Sequence, residues 1–422
     1  MFNLAIAQSG GPTAAINASL AGVIREFAAN DSCDKIYGLR YGITGIFTNE
    51  IIDLGETFDT KEKIDTLSYT PSMFLGSCRY KLPDFNKRET VEIAGDKYET
   101  NELYETIFKF FEEKEIKAFF YIGGNDSMDT VLKLSQYATA KNIDVKIVGI
   151  PKTIDNDLPK IDHTPGFGSA AKYIASSFLE IAHDTSIYRV PSVTIVEVMG
   201  RDAGWLTAAS SLARNEYSSI PDKIYLPEVP FDVGNFVSDI IGLLNKKRNV
   251  VVAVSEGIRN ADGKYICESE STHDKFGHVM LSGAGKVLEN IIKERIGVKC
   301  RSVEVNILQR AAGHLTSLTD IKESEKLGST AFHAALNGET GVMAVLNRKS
   351  GSNDSKYLVE YSTEPIEGIA NGVKLVPREW INFAGNDVTD EMISYLKPLI
   401  VGECPLQFEN GLPKYQGFLK NC

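Results

Sequence analysis

The stretch Pro151-Lys152-Thr153-Ile154-Asp155-Asn156-Asp157 follows directly on the apolar run Val145-Lys-Ile-Val-Gly-Ile150. Such a run predicts a buried strand. Two carboxylates, an amide, a hydroxyl and a lysine at its end are not typical of a core, because charged side chains are rarely buried without partners. Open α/β sheets collect their ligand-binding groups at the carboxyl ends of strands. We therefore predict that residues 151–157 lie at the rim of an active site.

Two earlier segments show the same change from an apolar run to a polar turn. Residues 119–122 run into Gly123-Gly-Asn-Asp-Ser127, and residues 4–7 run into Gln8-Ser-Gly-Gly-Pro-Thr13. Helical spacing follows each turn, so the free N–H groups of a helix N-terminus offer an anion site there. Taken alone, the first turn is equally typical of a simple tight turn, and the second is also typical of a helix N-cap formed by Asp126 or Ser127. Three loops rich in glycine and acid side chains together predict phosphate chemistry with a metal.

Strand-like runs alternate with amphipathic helices over most of the chain, which predicts an α/β protein with parallel sheets and helices on both faces. Residues 84–101 are charged and are predicted to lie on the surface, and the polar residues 347–363 are predicted to form a loop. Later strands are predicted near residues 193–198, 250–254, 303–307 and 342–346.

Composition and charge exclude several classes of function. The 43% hydrophobic and 24% charged content is typical of a soluble globular protein. No run of 18 apolar residues exists, so we predict no membrane span. The net charge of −11 argues against nucleic acid as a partner, since phosphate backbones require a basic surface. Six cysteines without a Cys-x-x-Cys pair indicate free thiols in a reducing cytoplasm.

Three segments resemble ligand-binding motifs but lack a feature that each motif requires. Residues 166–171 match a dinucleotide-binding pattern, but residues 163–165 precede them where a strand is required. Residues 283–286 look like a phosphate loop but lack its first glycine and its Ser/Thr, so we expect only the start of a packed helix. The pair His273 and His278 lacks the spacing of a metal site and is predicted to lie in a surface loop.

Asp155 is the candidate general base. A carboxylate within hydrogen-bond reach of a hydroxyl can take its proton during phosphoryl transfer, an effect of roughly 10²–10⁴-fold in rate. A simple turn would not need a lysine at position 152, so Lys152 also favours a functional interpretation of this segment. The chain further carries four arginines at strand or loop ends, and in an acidic protein these are best explained by anionic substrate groups. They are Arg79, Arg201, Arg301 and Arg310.

Together these motifs resemble the phosphofructokinase superfamily, and specifically its pyrophosphate-dependent members. They occur in the family's order over residues 3–313, and the combination is highly specific. The matching segments are Ser9-Gly-Gly11, Leu75-Gly-Ser-Cys-Arg79, Gly123-Gly-Asn-Asp-Ser127, Pro151-Lys-Thr-Ile-Asp-Asn-Asp157, Glu197-Val-Met-Gly-Arg201, Ser255-Glu256-Gly257 and Gln309-Arg310.

The resemblance implies two Rossmann-like parallel-sheet domains with the active site in the cleft between them. We expect a donor domain over residues 1–165 and 310–360, and a sugar-phosphate domain over residues 166–309 and 361–422. The implied reaction is a reversible, Mg²⁺-dependent transfer of phosphoryl from pyrophosphate to the 1-hydroxyl of fructose 6-phosphate. It gives fructose 1,6-bisphosphate and phosphate, as in glycolysis and gluconeogenesis. The implied assembly is a homodimer or homotetramer with sites shared between subunits.

The resemblance also assigns roles in the transfer and in sugar binding. Asp155 matches the base and Thr153 a contact to the transferring group, while Arg201 and Arg79 match residues that offset its charge. The neighbouring subunit contributes the counterpart of one of the two arginines that clamp the 6-phosphate. Met199, Gly200 and Glu256 match the residues that contact the sugar ring. Arg310 and Arg301 match the two arginines that bind the 6-phosphate, and the counterpart of Arg301 is the one that comes from the neighbouring subunit.

Donor binding is matched at the loops. Gly11 corresponds to a backbone contact with the donor phosphates, and the second loop adds Gly124, Asp126 and Ser127. Asp157 corresponds to a residue linked to the metal-bound phosphates. The metal ligands implied by position are Asp126, Asn125 and Asp157, although the family's first acidic position in this loop is Asn125 here.

Two positions separate donors within the family. ATP-dependent members typically have glycine where this chain has Asp126 and Lys152. A carboxylate at 126 repels the α-phosphate of a nucleotide, and an ammonium at 152 adds charge for a smaller donor. We therefore expect pyrophosphate, not ATP, as the phosphoryl donor.

The alternative functions are an ATP-dependent 6-phosphofructokinase and a non-catalytic regulatory subunit that binds sugar phosphates. A second arginine that the family supplies across the subunit boundary is replaced by Ser192.

Overall fold

The structure is a computed structural model that describes residues 2–267, 283–349 and 357–417. The predicted surface loop of His273 and His278 lies outside these residues, as does the middle of the predicted loop at 347–363. Within the described ranges, none of the helices has the length and apolar character needed to cross a membrane.

The strands and helices alternate along most of the chain, as the sequence predicts. The strands are β1 (Phe2–Gln8), β2 (Cys33–Leu39), β3 (Ile51–Asp53), β4 (Thr90–Ile93), β5 (Asp96–Glu99), β6 (Ile116–Gly123), β7 (Lys146–Pro151), β8 (Ser192–Val198), β9 (Lys223–Tyr225), β10 (Asn249–Ser255), β11 (Lys299–Glu304), β12 (Val342–Arg348), β13 (Val359–Pro365), β14 (Phe408–Glu409) and β15 (Leu412–Pro413). The helices are α1 (Ile16–Ala28), α2 (Gly45–Thr48), α3 (Leu54–Thr57), α4 (Lys61–Ser68), α5 (Thr100–Glu113), α6 (Asn125–Ala140), α7 (Phe167–Ser186), α8 (Trp205–Ala209), α9 (Val233–Leu244), α10 (Ala284–Arg295), α11 (Leu318–Leu336) and α12 (Asp390–Leu396).

A seven-stranded sheet forms the larger layer, in the order β13-β12-β7-β6-β1-β2-β3. Its five central strands run parallel, and in register Ala5 of β1 lies between Tyr37 of β2 and Phe119 of β6. The edge strands β3 and β13 are antiparallel to their neighbours. Because β1, β6 and β7 are parallel neighbours, the three polar loops that follow them lie together at the carboxyl ends of these strands.

The second sheet has four parallel strands in the order β11-β8-β10-β9. Residues 376–399 return to this half of the molecule, where Val376, Met392 and Leu396 join the core that also contains Phe167 and Val196. The two sheets confirm the prediction of an α/β protein with parallel sheets. The division into two domains at the predicted boundaries stays a prediction.

Three segments differ from the sequence prediction. The predicted loop at 347–363 is wrong at both ends, because β12 extends to Arg348 and β13 begins at Val359. The strand predicted at 303–307 lies earlier, over Lys299–Glu304. It is followed by a 3-10 turn that begins at Asn306, whose φ of 45° ends the extended conformation. Residues 84–101 are mostly exposed, as predicted, but include the β4–β5 hairpin.

Helices α1 and α11 cross unusually closely on the seven-stranded sheet. A Cβ at Gly22 would lie 2.1 Å from the Glu325 carbonyl oxygen, and one at Gly328 would lie 2.2 Å from the Ser19 carbonyl oxygen. No real side chain fits at such distances, so each helix needs a glycine where the other passes. Each glycine packs against the backbone of the other helix. No flexible side chain is therefore in a position to move aside for an added methyl group.

We predict that Gly328→Ala destabilises the fold by about 3 kcal/mol, because the methyl group must separate the two helix backbones. Gly242→Ala is the matched control: Gly242 is exposed in α9 with open space around its Cβ position. There, alanine should be neutral or stabilise by up to about 1 kcal/mol through its higher helix propensity. Denaturant unfolding measures both, and an unchanged midpoint for Gly328→Ala would contradict the close crossing.

Candidate active site

The turn after β7 is held between the second loop and the segment before α7. The Lys152 N–H donates to the Gly123 carbonyl oxygen at 2.9 Å, and the Thr153 N–H donates to the Pro165 carbonyl oxygen at 3.2 Å. Thr153 Oγ1 accepts from the Asp155 N–H at 3.1 Å. Asn156 has a left-handed φ of 55°, which reverses the chain between the two carboxylates. These contacts therefore fix the conformation of the turn that carries Thr153, Asp155 and Asp157.

Lys152 is buried, and its ammonium lies against the first loop. Its Nζ is 3.0 Å from the position that a Cβ on Gly10 would occupy, which is closer than an ordinary van der Waals contact. Burial lowers the pKa of Lys152 to about 8, while the carboxylates of Asp155 and Asp157 act in the opposite direction. Lys152 thus joins the first loop to the turn after β7 and brings a cation between them.

The two carboxylates of the turn ionise less readily than usual. The pKa of Asp155 is raised to about 7, first by its removal from water and then by the nearby Asp157, while the cations Lys152, Arg201 and Arg310 oppose the rise. Burial also raises the pKa of Asp157, although a hydrogen bond from Thr153 opposes it. A carboxylate that titrates near neutrality is suited to proton transfer in both directions.

Arginines bring positive charge to the same place. Arg310 is close to both Asp155 and Glu256, and burial and then the neighbouring Arg79 lower the pKa of its guanidinium. Its Nη2 also lies 3.6 Å from the position that a Cβ on Gly11 in the first loop would occupy. Arg201 Nε is buried without a hydrogen-bond partner among the residues that the structure describes. A buried guanidinium with a free donor is suited to bind an anion.

A third group follows β8 and β10 in the second sheet. Gly200, with a φ of 136°, donates its N–H to Glu256 Oε1 at 3.2 Å, and the Ser255 hydroxyl donates to the Gly200 carbonyl oxygen at 2.6 Å. The Met199 N–H donates to Gln309 Oε1 at 3.4 Å. Burial raises the pKa of Glu256 to about 7, and Asp155 contributes to this rise. The second sheet therefore contributes a carboxyl group that faces Asp155.

The second loop begins α6, and its side chains have different surroundings. Gly124 lies beside the Lys152 backbone, its Cβ position being 3.4 Å from the Lys152 carbonyl oxygen. Asp126 is exposed, and its carboxylate is 3.8 Å from the Lys81 ammonium. Ser127 is buried in the first turn of the helix. The loop thus presents one accessible carboxylate, which Lys81 partly offsets.

Asn125 uses both of its side-chain amide atoms on the backbone of a distant segment. Nδ2 donates to the Gly372 carbonyl oxygen at 2.5 Å, and Oδ1 accepts from the Asn371 N–H at 2.6 Å. An aspartate would have no hydrogen to donate to that carbonyl oxygen. The amide at this position therefore has a structural reason that the loop sequence alone does not reveal.

Arg301 stands apart from these groups. It lies on β11, the edge strand of the second sheet, where Nε donates to Thr194 Oγ1 at 3.2 Å and Nη2 is 2.5 Å from Asp184. With Tyr188 and Val190 it lines a groove of about 120 Å³. Of the four arginines identified in the sequence, Arg201 and Arg310 lie near Asp155, Arg79 lies near Lys152 and Arg310, and Arg301 lies at the edge of the second sheet.

The described parts of the chain contain no group of three or more His, Cys, Asp or Glu side chains arranged to hold a metal. Sites that bind Mg²⁺ through one or two carboxylates and substrate phosphates do not need such a group. Asp157, beside Thr153 and Lys152, is one candidate for such a carboxylate. Asp126 is accessible but lies near a lysine.

Sequence reasoning missed Lys374, which lies in a segment without a recognisable motif. Its ammonium contacts the turn through the Asn156 side chain at 3.1 Å. The only signal was one lysine within Val373-Lys-Leu-Val376, a pattern typical of many exposed strands. The sequence predicts Asn156 as part of a turn, and in the structure its buried side chain forms hydrogen bonds with three partners.

The geometry combines a half-buried carboxylate with cations on several sides. Asp155 can accept a proton, while Lys152, Arg201 and Arg310 surround it and offset negative charge on a bound group. This arrangement is suited to the transfer of an anionic group to a hydroxyl. Glu256 and Gly200 form the wall contributed by the second sheet.

Comparisons with known proteins point the same way. The sequence profile of a family described as Phosphofructokinase matches residues 3–335. A Halomonas elongata protein named pyrophosphate--fructose 6-phosphate 1-phosphotransferase is 39% identical over 422 residues, covering 99% of this chain and 96% of that protein. A protein of the same name from Methylococcus capsulatus is 40% identical over 418 residues, covering 98% and 95%. The crystal structure of a pyrophosphate-dependent phosphofructokinase from Nitrosospira multiformis superposes with a TM-score of 0.86 at 37% identity, covering 100% of this chain and 97% of that one.

Proposed function

The chain belongs to the phosphofructokinase family, and we propose that it transfers phosphoryl reversibly between pyrophosphate and the 1-hydroxyl of fructose 6-phosphate. The products are fructose 1,6-bisphosphate and phosphate, which makes the enzyme a phosphotransferase of glycolysis and gluconeogenesis. The observation that carries the proposal is the position of Asp155, a half-buried carboxylate with a pKa raised to about 7 by burial, among three cationic side chains.

In the forward direction the sugar hydroxyl attacks the terminal phosphorus of the donor. Asp155 takes the hydroxyl proton as the new P–O bond forms, and the bond to the departing phosphate breaks. We assign Arg201 and Arg79 to the charge on the transferring group, and the Thr153 hydroxyl to a contact with it. In the reverse direction a protonated Asp155 returns the proton, which its raised pKa favours.

The sugar phosphate is assigned to the second sheet. Met199, Gly200 and Glu256 contact the ring, and Arg310 binds the 6-phosphate. Arg310 also lies beside Gly11, so its guanidinium is within reach of the donor side as well. We therefore assign the seven-stranded sheet to the donor and the second sheet to the sugar, with boundaries as in the sequence prediction.

The donor is assigned to the two glycine-rich loops and to Lys152. Gly11 lies in the first loop, and Gly124 and Ser127 lie at the start of α6, and helix N-termini of this kind are sites where anions bind. Mg²⁺ would be held by Asp157 and by donor oxygens, and when bound it neutralises negative charge on the phosphates. Asp126 is a second, accessible carboxylate for the ion, whereas both amide atoms of Asn125 are already engaged.

Donor choice tests the proposal most simply. Wild-type protein should turn over fructose 6-phosphate with pyrophosphate and show little activity with ATP at any Mg²⁺ concentration. Asp126→Gly should improve kcat/KM for ATP about 10-fold or more, on the order of 1.4 kcal/mol, because a repulsive carboxylate is removed. Lys152→Gly should damage pyrophosphate turnover without admitting ATP.

The control for this comparison is Asp31→Gly, which removes an exposed carboxylate from the turn between α1 and β2. It should leave the ratio of the two donors unchanged. A wild-type preference for ATP would identify the alternative, an ATP-dependent 6-phosphofructokinase. No turnover with either donor, together with binding of fructose 6-phosphate, would identify a regulatory subunit instead.

We propose that the active species is at least a dimer, in which Arg301 reaches the 6-phosphate bound to the neighbouring subunit. The proposal is supported by the position of Arg301 at a sheet edge and by exposed apolar side chains, of which Val190 lines the same groove as Arg301. Ile187 and Val190 are 70% and 61% exposed, and Ile307 and Leu308 are 66% and 63% exposed. Large exposed apolar side chains such as these support a subunit interface on this part of the surface. The protein is assigned to the cytoplasm, in line with a sequence whose six cysteines include no Cys-x-x-Cys pair.

Mixing two inactive variants tests the shared site. Asp155→Ala lacks the proposed base, and Arg301→Ala lacks the phosphate contact that the neighbouring subunit needs. After subunit exchange, a mixed dimer should contain one site with both residues intact, so part of the wild-type activity should return. The exchange itself is followed with differently labelled chains. Proven exchange without recovered activity would show that each site is built from one chain.

A further inference from the structure

After β13 the chain crosses from the seven-stranded sheet to the second sheet through residues 366–376, which we call the crossover segment. It begins with a 3-10 turn at Ile366–Gly368. At its far end the Val376 N–H donates to Glu228 Oε1 at 3.0 Å, and Trp205 Nε1 donates to the Lys374 carbonyl oxygen at 2.9 Å. The segment is therefore anchored on the half of the molecule assigned to the sugar.

The crossover segment also binds the turn after β7. The Lys374 N–H donates to the Asp157 carbonyl oxygen at 2.7 Å. The Lys374 ammonium donates to Asn156 Oδ1 at 3.1 Å and to the carbonyl oxygens of Ile161 and Asp162 at 3.0 and 2.7 Å. Four hydrogen bonds from one residue thus fix the stretch that carries the two carboxylates.

The Asn156 side chain transmits this contact to the backbone of the turn. The residue is fully buried, and its left-handed φ of 55° sets the directions in which Asp155 and Asp157 leave the chain. Oδ1 accepts from Lys374 and from the Thr164 N–H at 3.1 Å, and Nδ2 donates to the Tyr395 hydroxyl at 2.9 Å. Loss of the ammonium would leave this amide with two of its three partners.

We propose that Lys374 is a positioning residue of the transfer site, which holds Asn156 so that the Asp155 and Asp157 carboxylates keep their reactive arrangement. The inference rests on the proposed function. It identifies a contribution from the C-terminal part of the chain, where the sequence carries no recognisable motif. The ammonium does not contact the reacting groups in this arrangement; it acts through the turn.

The comparison of two lysines tests this role. Lys374→Met keeps the length of the side chain but removes its donors, and we expect kcat with pyrophosphate to fall on the order of 10²-fold, because small misplacements of reacting groups have effects of this size. KM for fructose 6-phosphate should change little, and Lys374→Arg should recover part of kcat. Lys160→Met is the matched control, since Lys160 is exposed on the same stretch, and it should behave as wild type.

A double-variant cycle shows whether the effect passes through Asn156. Asn156→Gly removes the amide but keeps the left-handed conformation accessible. Combined with Lys374→Met, it should lower kcat no further than the more severe single variant, whereas independent effects would multiply. Multiplying effects would overturn the proposal, as would equal kcat values for Lys374→Met and Lys160→Met.

The result separates this inference from the proposed function. A wild-type protein without pyrophosphate activity contradicts the proposed function, whereas an active wild type with an equally active Lys374→Met contradicts only the role of Lys374. If the methionine variant is unfolded at the assay temperature, as judged by its thermal transition, Lys374→Gln replaces it in the same comparison and the same outcomes decide.

Discussion

Charged side chains withdrawn from water at the carboxyl end of β7 are the constraint on which the rest of the site depends. A buried or half-buried charge is costly unless charges and hydrogen bonds compensate it. Lys152 and Asp155 compensate each other in part, and their pKa values move to about 8 and about 7, with burial as the main cause. Two groups that titrate near neutrality, side by side, are characteristic of a functional site.

Several features of the chain follow from this constraint. Gly10 has a left-handed φ of 84°, which favours glycine, and a Cβ on it would lie only 3.0 Å from Lys152 Nζ. The parallel order of β1, β6 and β7 brings the loops that need this cation to the same edge. Asn125 occupies a position where the resemblance leads one to expect a carboxylate, and its amide fastens the crossover segment instead. The carboxyl ends of these strands thus carry both the loops to which we assign anion binding and the contact from Asn125 to the crossover segment.

Much of the site was predictable because its signals are local. Asp155 and Lys152 follow an apolar run within seven residues, and such a change of character within a short stretch needs no knowledge of the fold. The helices α1 and α6 were predictable from helical spacing for the same reason. The parallel sheets followed from the alternation of strands and helices.

The rest depends on contacts between residues far apart in the sequence. Lys374 meets Asn156 across 218 residues, and no local pattern marks such a pair. The strand Val359–Pro365 was missed because it is an edge strand with alternating burial and many polar residues, which resembles a loop in sequence. Arg310 was expected only at the sugar phosphate, and its approach to Gly11 depends on how the two halves meet.

The most direct measurement is the turnover of Asp155→Asn with pyrophosphate and fructose 6-phosphate, followed in both directions. Asparagine keeps the size of the side chain but cannot accept the proton. The account predicts that kcat falls at least about 10²-fold in each direction, with KM for both substrates largely kept. A loss of about tenfold or less would contradict the assignment of Asp155 as the base.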